Sequence, residues 1–197
     1  MSPPGGLYMS FILRPGHVDR PELASLIAAL AVVQGVKDST GISTQIRWPN
    51  DVMIKGKKLA GVISEAQYFK QEITQILVGI GLNCNARIGN SGDNTLSATS
   101  LADESGSQVE LLELRHSILE SFSSLYENWK AGEDMLPLWQ ANLGTLGKAV
   151  TVKLKTEETP FSSFAKGIDS SGGLVMAEGK DERILRPEDV EWLREKS

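Results

Sequence analysis

Cysteine is nearly absent from this 197-residue chain, where Cys84 stands alone. A lone thiol excludes an internal disulfide and fits a reducing compartment, so a cytoplasmic location is expected. There are two histidines, His17 and His116, far apart in sequence, and no Cys/His spacing resembles a zinc site. No run of about 18 apolar residues appears, so no membrane span is expected. The first residues, MSPPGGLYMSFILRPG, carry no basic segment ahead of an apolar one and lack the pattern of a secretory leader. Basic charge is also short. Twenty Lys and Arg against 25 Asp and Glu leave a net charge of −5, which gives no general pull toward nucleic acid or an anionic membrane. No internal repeat or low-complexity segment is present.

What remains is ordinary for a globular chain: 41% hydrophobic and 23% charged, enough apolar material for a real core. Leu7, Met9, Phe11 and Leu13 alternate with Tyr8, Ser10 and Ile12, the period of a half-buried strand. Asp19 and Glu22 form a candidate capping box around Pro21. A helix is expected from there to about Val36, with Leu23, Leu26, Ile27, Leu30 and Val33 at helical spacing. Strands are expected at Thr44 to Trp48, Val52 to Ile54 and Leu59 to Ser64, the last two joined by a turn at Lys55-Gly56-Lys57. EITQILVGIGLNCNA reads as a further strand and ARIGNSGDNTLSATS as a polar loop. A long helix is expected from about Val109 to Lys130, with Leu112, Arg115, Leu119, Phe122, Tyr126 and Trp129 along one side. AGEDMLPLWQANL is a shorter helical piece. From Gly147 the rhythm changes to short strands, KAVTVKL, SSFAKGI, GGLVMA and RILRPEDVEWL, separated by turn residues at 169–173 and 178–180. That is the pattern of a small barrel, and a domain boundary is expected between Leu143 and Gly147.

The chemistry concentrates in RWPNDVMIKGKKLAGVISE, residues 47–65. Pro49 cannot donate to a ladder, so a strand should end there and leave Asn50 and Asp51 at its mouth. Lys58 enters the next strand, with Gly61 three residues on. Gly79 and Gly81 repeat that feature in the following strand, and Asn83 stands two residues beyond. Strand glycines permit close approach of a ligand or another backbone. Taken singly, each feature has a plainer account: a hairpin lysine as a solvated charge, Asn-Asp as turn chemistry, a strand glycine as a bulge. GIG is no dinucleotide fingerprint, since no helix follows and the third glycine is absent. Only the joint occurrence, in order, favours a site of one cation, two amides, one carboxylate and three glycines. Trp48 is expected chiefly to pack, and Cys84 to be a small core residue.

That stretch resembles the signature of the biotin protein ligases, Lys-Trp-Pro-Asn-Asp, a short hairpin, then Lys-Leu-Ala-Gly and a terminal Glu. VGIGLNCN is similar to their Gly-x-Gly-x-Asn strand, and SPPGGLYMS to the segment before their first long core helix. ATSL, Ala98 to Leu101, and the tail GKAVTV to DVEWL, similar to the family's small C-terminal SH3-like domain, extend the likeness over most of the chain. The resemblance implies an α+β fold: a mixed, largely antiparallel sheet backed by helices, in a class II synthetase-like catalytic domain over residues 1–145, with an SH3-like barrel over 146–197. It implies that biotin and ATP form biotinyl-5′-AMP, which acylates a lysine of a biotin carboxyl carrier protein. Lys58 would be the catalytic cation, its neighbour Lys57 a solvated turn residue. Lys58, Gly61, Ile63, Gly79 and Gly81 would receive biotin. Asn50, Asp51 and Asn83 would serve the nucleotide, and Asp51 would support Asn50 or help hold Mg2+. Arg47 stands where the family has lysine, which keeps the charge but not the geometry.

The family also places an arginine- and glycine-rich loop just upstream of SPPGGLY, and the sequence begins where that loop would end. A chain without it is expected to bind biotin weakly, and an open edge at the Leu7 to Leu13 strand would favour pairing with a second copy. No helix-turn-helix is seen, so no DNA partner is expected. Two other readings stay open: a non-catalytic binding module that keeps the ligase fold, and a lipoate-type ligase. The spacing of the central motif and the SH3-like tail favour biotin over lipoate.

Overall fold

The computed structural model describes residues 4–16, 18, 20–88, 98–179 and 181–195. Most of the expected polar loop, together with Asp19 of the expected capping box, His17 and Lys180, lies outside the described residues. The chain forms two compact units. One contains Met1–Ile46 and Asn50–Met135, and the other Arg47–Pro49 and Leu136–Ser197.

The first unit is built on a five-stranded sheet. Its strands are β1 (Gly6–Leu13), β2 (Gln45–Arg47), β3 (Asp51–Ile54), β4 (Lys57–Phe69) and β5 (Glu72–Asn83), in the order β1-β5-β4-β3-β2. The β1–β5, β4–β5 and β3–β4 ladders are antiparallel, and a parallel bridge joins Lys58 to Ala98. Alternation sorts the two faces. Ala60, Val62, Ile76, Val78, Ile80 and Leu82 are buried on one face. Tyr8, Ser10, Ile12 and Ile63 are exposed on the other.

Helix α1 (Ala24–Thr40) covers the apolar face, entered through a 3-10 turn at Pro21–Leu23. The N-cap of that turn is Arg20, whose side chain makes no capping bond. The helix runs four residues past the expected end at Val36 and stops where Gly41 adopts a left-handed φ of 72° and donates to Lys37 O. It is long and apolar enough to pass for a membrane span, yet two thirds of that span is buried. The reason is packing on two sides. The sheet lies against one, and α3 (Leu111–Lys130) against the other. At the crossing the helices nearly touch: a methyl placed on Gly35 would sit 2.7 Å from the N and Cα of Ile118.

The buried face of α3 differs from the expected one. Leu114, Ile118, Phe122, Leu125 and Trp129 are buried, while Leu112 is 70% exposed and Leu119 37% exposed. The buried set steps by 4, 4, 3 and 4 residues, a cleaner helical stripe than the one containing Leu112 and Arg115. Phe122 and Trp129 belong to both sets, and Phe122 stacks on Phe11 of β1, ring centroids 4.4 Å apart. Short α2 (Leu101–Ser105) is capped by Ser100, whose hydroxyl accepts from Asp103 N at 3.1 Å.

The second unit carries α4 (Leu136–Asn142) and a small antiparallel barrel. Its strands are β6 (Ala149–Leu154), β7 (Phe161–Ile168), β8 (Leu174–Glu178), β9 (Asp181–Leu185) and β10 (Val190–Glu195), in the order β10-β6-β7-β8-β9. RILRPEDVEWL, read as one strand from the sequence, is two. Pro187–Asp189 form a 3-10 turn between them, because proline cannot supply the ladder donor there. Val150, Val152, Leu154, Ala165, Leu174, Met176, Leu185 and Leu193 are among its buried side chains. Trp48 is also buried in this unit: its backbone N–H donates to Thr145 Oγ1 at 3.0 Å and its indole N–H to Gly172 O at 2.9 Å.

Candidate functional site

The open face of the first sheet has a row of aligned positions. Tyr8, Gly81, Gly61 and Asp51 are successive partners across β1, β5, β4 and β3. The next row on that face holds Ser10, Gly79 and Ile63. Three glycines therefore make a floor without side chains. Ile63 is 71% exposed beside it, and Tyr8 is 45% exposed. The Tyr8 ring flanks the floor, since a methyl on Gly81 would stand 3.7 Å from it and one on Gly6 2.5 Å from its hydroxyl.

Strict alternation would put Lys58 and Gly61, three apart, on opposite faces. A bulge reverses this. Val52 pairs with Ala60 but Met53 with Lys58, so Leu59 is the extra residue, and Leu59 and Ala60 are both buried. Lys58 thereby joins Gly61 on the open face. A methyl on Gly61 would sit 3.2 Å from Lys58 Nζ and 3.3 Å from its Cε. The ammonium pairs with Asp51 Oδ1 at 2.5 Å.

The structure separates the two adjacent lysines. Lys57, expected to be a solvated turn residue, instead pairs with Glu104 Oε1 of α2 at 3.2 Å. Lys55 reaches the other oxygen of Glu104 at 3.0 Å, and Thr99 Oγ1 donates to Oε1 at 2.9 Å. The Glu104 side chain is only 7% exposed. Hydrogen bonds from Lys55, then from Thr99 and Lys57, hold its carboxyl at about 2 against the opposing effect of desolvation. Sequence reasoning missed Glu104 and Thr99. The available signal was ATSL followed within five residues by two acids.

Both asparagines are engaged inside the protein. Asn50 Nδ2 donates to Val62 O at 2.6 Å, filling the place beside β4 just before β3 begins. Asn83 Nδ2 donates to Thr99 O at 3.1 Å, and Thr99 N donates to Lys58 O at 3.0 Å. Beyond the end of the β4–β5 ladder, the edge of β4 at Lys58 is thus paired by the segment containing Ala98 and Thr99. Cys84 is buried and burial pushes its thiol up to about 11, which makes it an inert core residue. Among the described residues no group of three or more His, Cys, Asp or Glu side chains could hold a resident metal. A magnesium ion carried mainly by phosphates needs only one or two carboxylates. Asp51 could supply one, in competition with Lys58.

The model of the Biotin/lipoate A/B protein ligase family matches residues 1–83. The chain is 31% identical to the bifunctional ligase/repressor BirA of Bacillus subtilis over 94% of its own length, and spans 58% of that relative. It is 29% identical to the biotin–[acetyl-CoA-carboxylase] ligase of Paracoccus denitrificans, over 88% of this chain and 75% of the other. A crystal structure of biotin protein ligase from Aquifex aeolicus superposes with a TM-score of 0.82 at 25% identity, covering 98% of this chain and 83% of that one. The Aquifex aeolicus enzyme in complex with biotin and ATP has the same fold, with a TM-score of 0.80. The chain belongs to the biotin protein ligase family.

Proposed function

We propose that this protein activates biotin with ATP to biotinyl-5′-AMP and transfers the biotinyl group to a lysine of a biotin carboxyl carrier protein in the cytoplasm. The observation that carries the proposal is the bulge-mounted Lys58, which lies over Gly61 on the glycine floor while its neighbours Lys55 and Lys57 are tied to Glu104. Biotin offers a flat ring system and a short acyl chain ending in a carboxylate. The bare floor of Gly61, Gly79 and Gly81, flanked by Ile63, suits the apolar part.

The first step brings a carboxylate oxygen to the α-phosphorus of ATP. The new O–P bond forms as the bond to the leaving pyrophosphate breaks. Two anions must approach, and negative charge grows on the phosphoryl oxygens. One preorganised ammonium about 4 Å from a unit charge contributes on the order of 4 kcal/mol at a near-surface dielectric. Lys58 is the group suited to this, once it releases Asp51 to the incoming anion. Mg2+ arriving with ATP would neutralise phosphate charge, with Asp51 the carboxylate at hand. Asn50 and Asn83 frame the nucleotide end through their fixed amides. In the second step a carrier lysine nitrogen attacks the acyl carbon and AMP leaves. As a functional division we assign residues 1–145 to the catalytic part and 146–197 to the SH3-like barrel, although the compact units divide at Leu136.

The test is pyrophosphate release by the purified chain with biotin and ATP, repeated with lipoate in place of biotin. Release that requires biotin and is lost in Lys58→Ala supports the proposal. Release with lipoate but not biotin would transfer the function to the lipoate branch, and failure to bind either acid would leave only a fold.

A further inference from the structure

Lys58 stands at a weak place in the sheet. A bulge interrupts the β3–β4 ladder at its position, and β5 pairs with β4 only from Ala60 onward. Its backbone carbonyl is bonded instead by Thr99 N, from a segment outside the sheet's named strands. The turn ahead of it holds Lys55 and Gly56 at φ of 47° and 77°, the left-handed region, which costs a lysine energy. Met53 pairs with the Lys58 backbone and Asp51 Oδ1 takes its ammonium at 2.5 Å, but the bulged strand start that carries both contacts needs holding as well.

Glu104 touches each of the flanking parts. One carboxylate oxygen takes Lys57, the residue before Lys58, and Thr99, the residue that bonds the Lys58 carbonyl. The other takes Lys55 in the strained turn. The carboxylate is nearly buried, so these bonds are less screened than surface pairs. They also leave Lys58 the neighbouring ammonium not held by Glu104.

We propose that Glu104 is a positioning residue: by clamping Lys55, Lys57 and Thr99 it holds the bulged start of β4 so that the Lys58 ammonium stays over the glycine floor. This rests on the reading of Lys58 as the reacting cation. The clamp itself is a claim about position and is measured without turnover.

The experiment is trace acetylation of the full chain with acetic anhydride, each lysine read separately by mass spectrometry. Lys70 and Lys155, which Glu104 does not touch, serve as internal references. In Glu104→Gln, labelling of Lys58 should rise severalfold relative to both references, with Glu104→Asp between the two. A general loss of structure would raise all lysines together, so the ratio isolates position. If Glu104→Gln does not fold, Lys57→Gln, altered at a half-exposed side chain, should move the same ratio in the same direction. An unchanged Lys58 ratio in either folded variant overturns the clamp. Pyrophosphate release is the second readout. Glu104→Gln should lower kcat about tenfold with little change in the biotin KM, short of the roughly hundredfold that a 1 Å misplacement can cost. If Lys58→Ala keeps full activity, the role of Lys58 fails, yet the labelling ratio still decides whether Glu104 positions it.

Discussion

Replacing Gly81 with alanine separates two accounts of the glycine floor, one in which the chain needs glycine and one in which a ligand does. Gly61, Gly79 and Gly81 are not among the residues with positive φ, so the backbone accepts alanine at each. At Gly81 the added methyl would meet only the Tyr8 ring, at 3.7 Å, an ordinary van der Waals distance. Folding stability should therefore stay level, or rise by about 0.4–1 kcal/mol as the unfolded chain loses freedom. A ligand lying on the floor would meet that methyl as excess volume in a packed contact. Overpacking of this kind costs about 1–3 kcal/mol, roughly 5–150-fold in Kd. Gly61→Ala adds a second effect, because its methyl would crowd Lys58 Nζ at 3.2 Å and push the ammonium aside by a few tenths of an ångström. Thermal melting and biotin titration calorimetry on the two variants form the assay. Gly81→Ala should melt at or above the parent temperature and bind biotin at least fivefold more weakly by the same estimate. Undiminished biotin affinity in a folded Gly81→Ala protein would refute the idea that the ligand rests on this face.

Three further outcomes are expected. Lys58→Ala should slow pyrophosphate release by roughly 10²–10³, the range for one lost electrostatic group, while Lys57→Ala acts only through the looser turn; equal losses in the same assay would contradict the distinction. Gly35→Ala should destabilise the protein by about 1–3 kcal/mol, against a helix propensity gain of about 1 kcal/mol, because Ile118 main-chain atoms stand 2.7 Å from the new methyl; a raised melting temperature would show that the helices can separate without cost. The Glu104 carboxyl is depressed from 4.5 to about 2 in the folded chain, so its contribution is complete above pH 4.5 and fades as pH falls toward 2. With Lys55 largely and Lys57 about half exposed, solvent screening leaves about 1–2 kcal/mol from it, a loss on acidification that urea titrations should find reduced in Glu104→Gln.

The period of each segment made most of the first sheet legible. Alternation in Leu7 to Leu13 and in the GIG strand gives the correct buried face, and the glycines fall together on the open side. The position of Lys58 was legible only by resemblance. Its three-residue spacing from Gly61 contradicts strand parity until Leu59 bulges, and a bulge leaves no reliable mark in sequence. The face of α3 was misread because Leu112 and Leu119 are large and apolar, yet packing rewards the stripe of Leu114, Ile118 and Phe122 that meets α1 and β1. Gly35 carries no mark in the sequence of the helix crossing it permits. The role of Glu104 is hard to read for a different reason. Its partners lie 47 and 49 residues back, in a turn whose lysines look solvated from the sequence alone.

Trp48 gives the chain an order of assembly. Its indole is the largest buried side chain supplied from the front half of the sequence to the second unit, and its two hydrogen-bond acceptors, Thr145 and Gly172, are made about a hundred residues later. On a ribosome adding about 5–20 residues each second, Arg47–Pro49 wait several seconds with an aromatic surface uncovered. A cut at Met135 would not yield two intact pieces, since the trailing one would lack the indole that fills its interior. The second unit is contiguous in space and interrupted in sequence, so a fragment intended to isolate it must carry residues 47–49 as well, supplied in trans or by circular permutation.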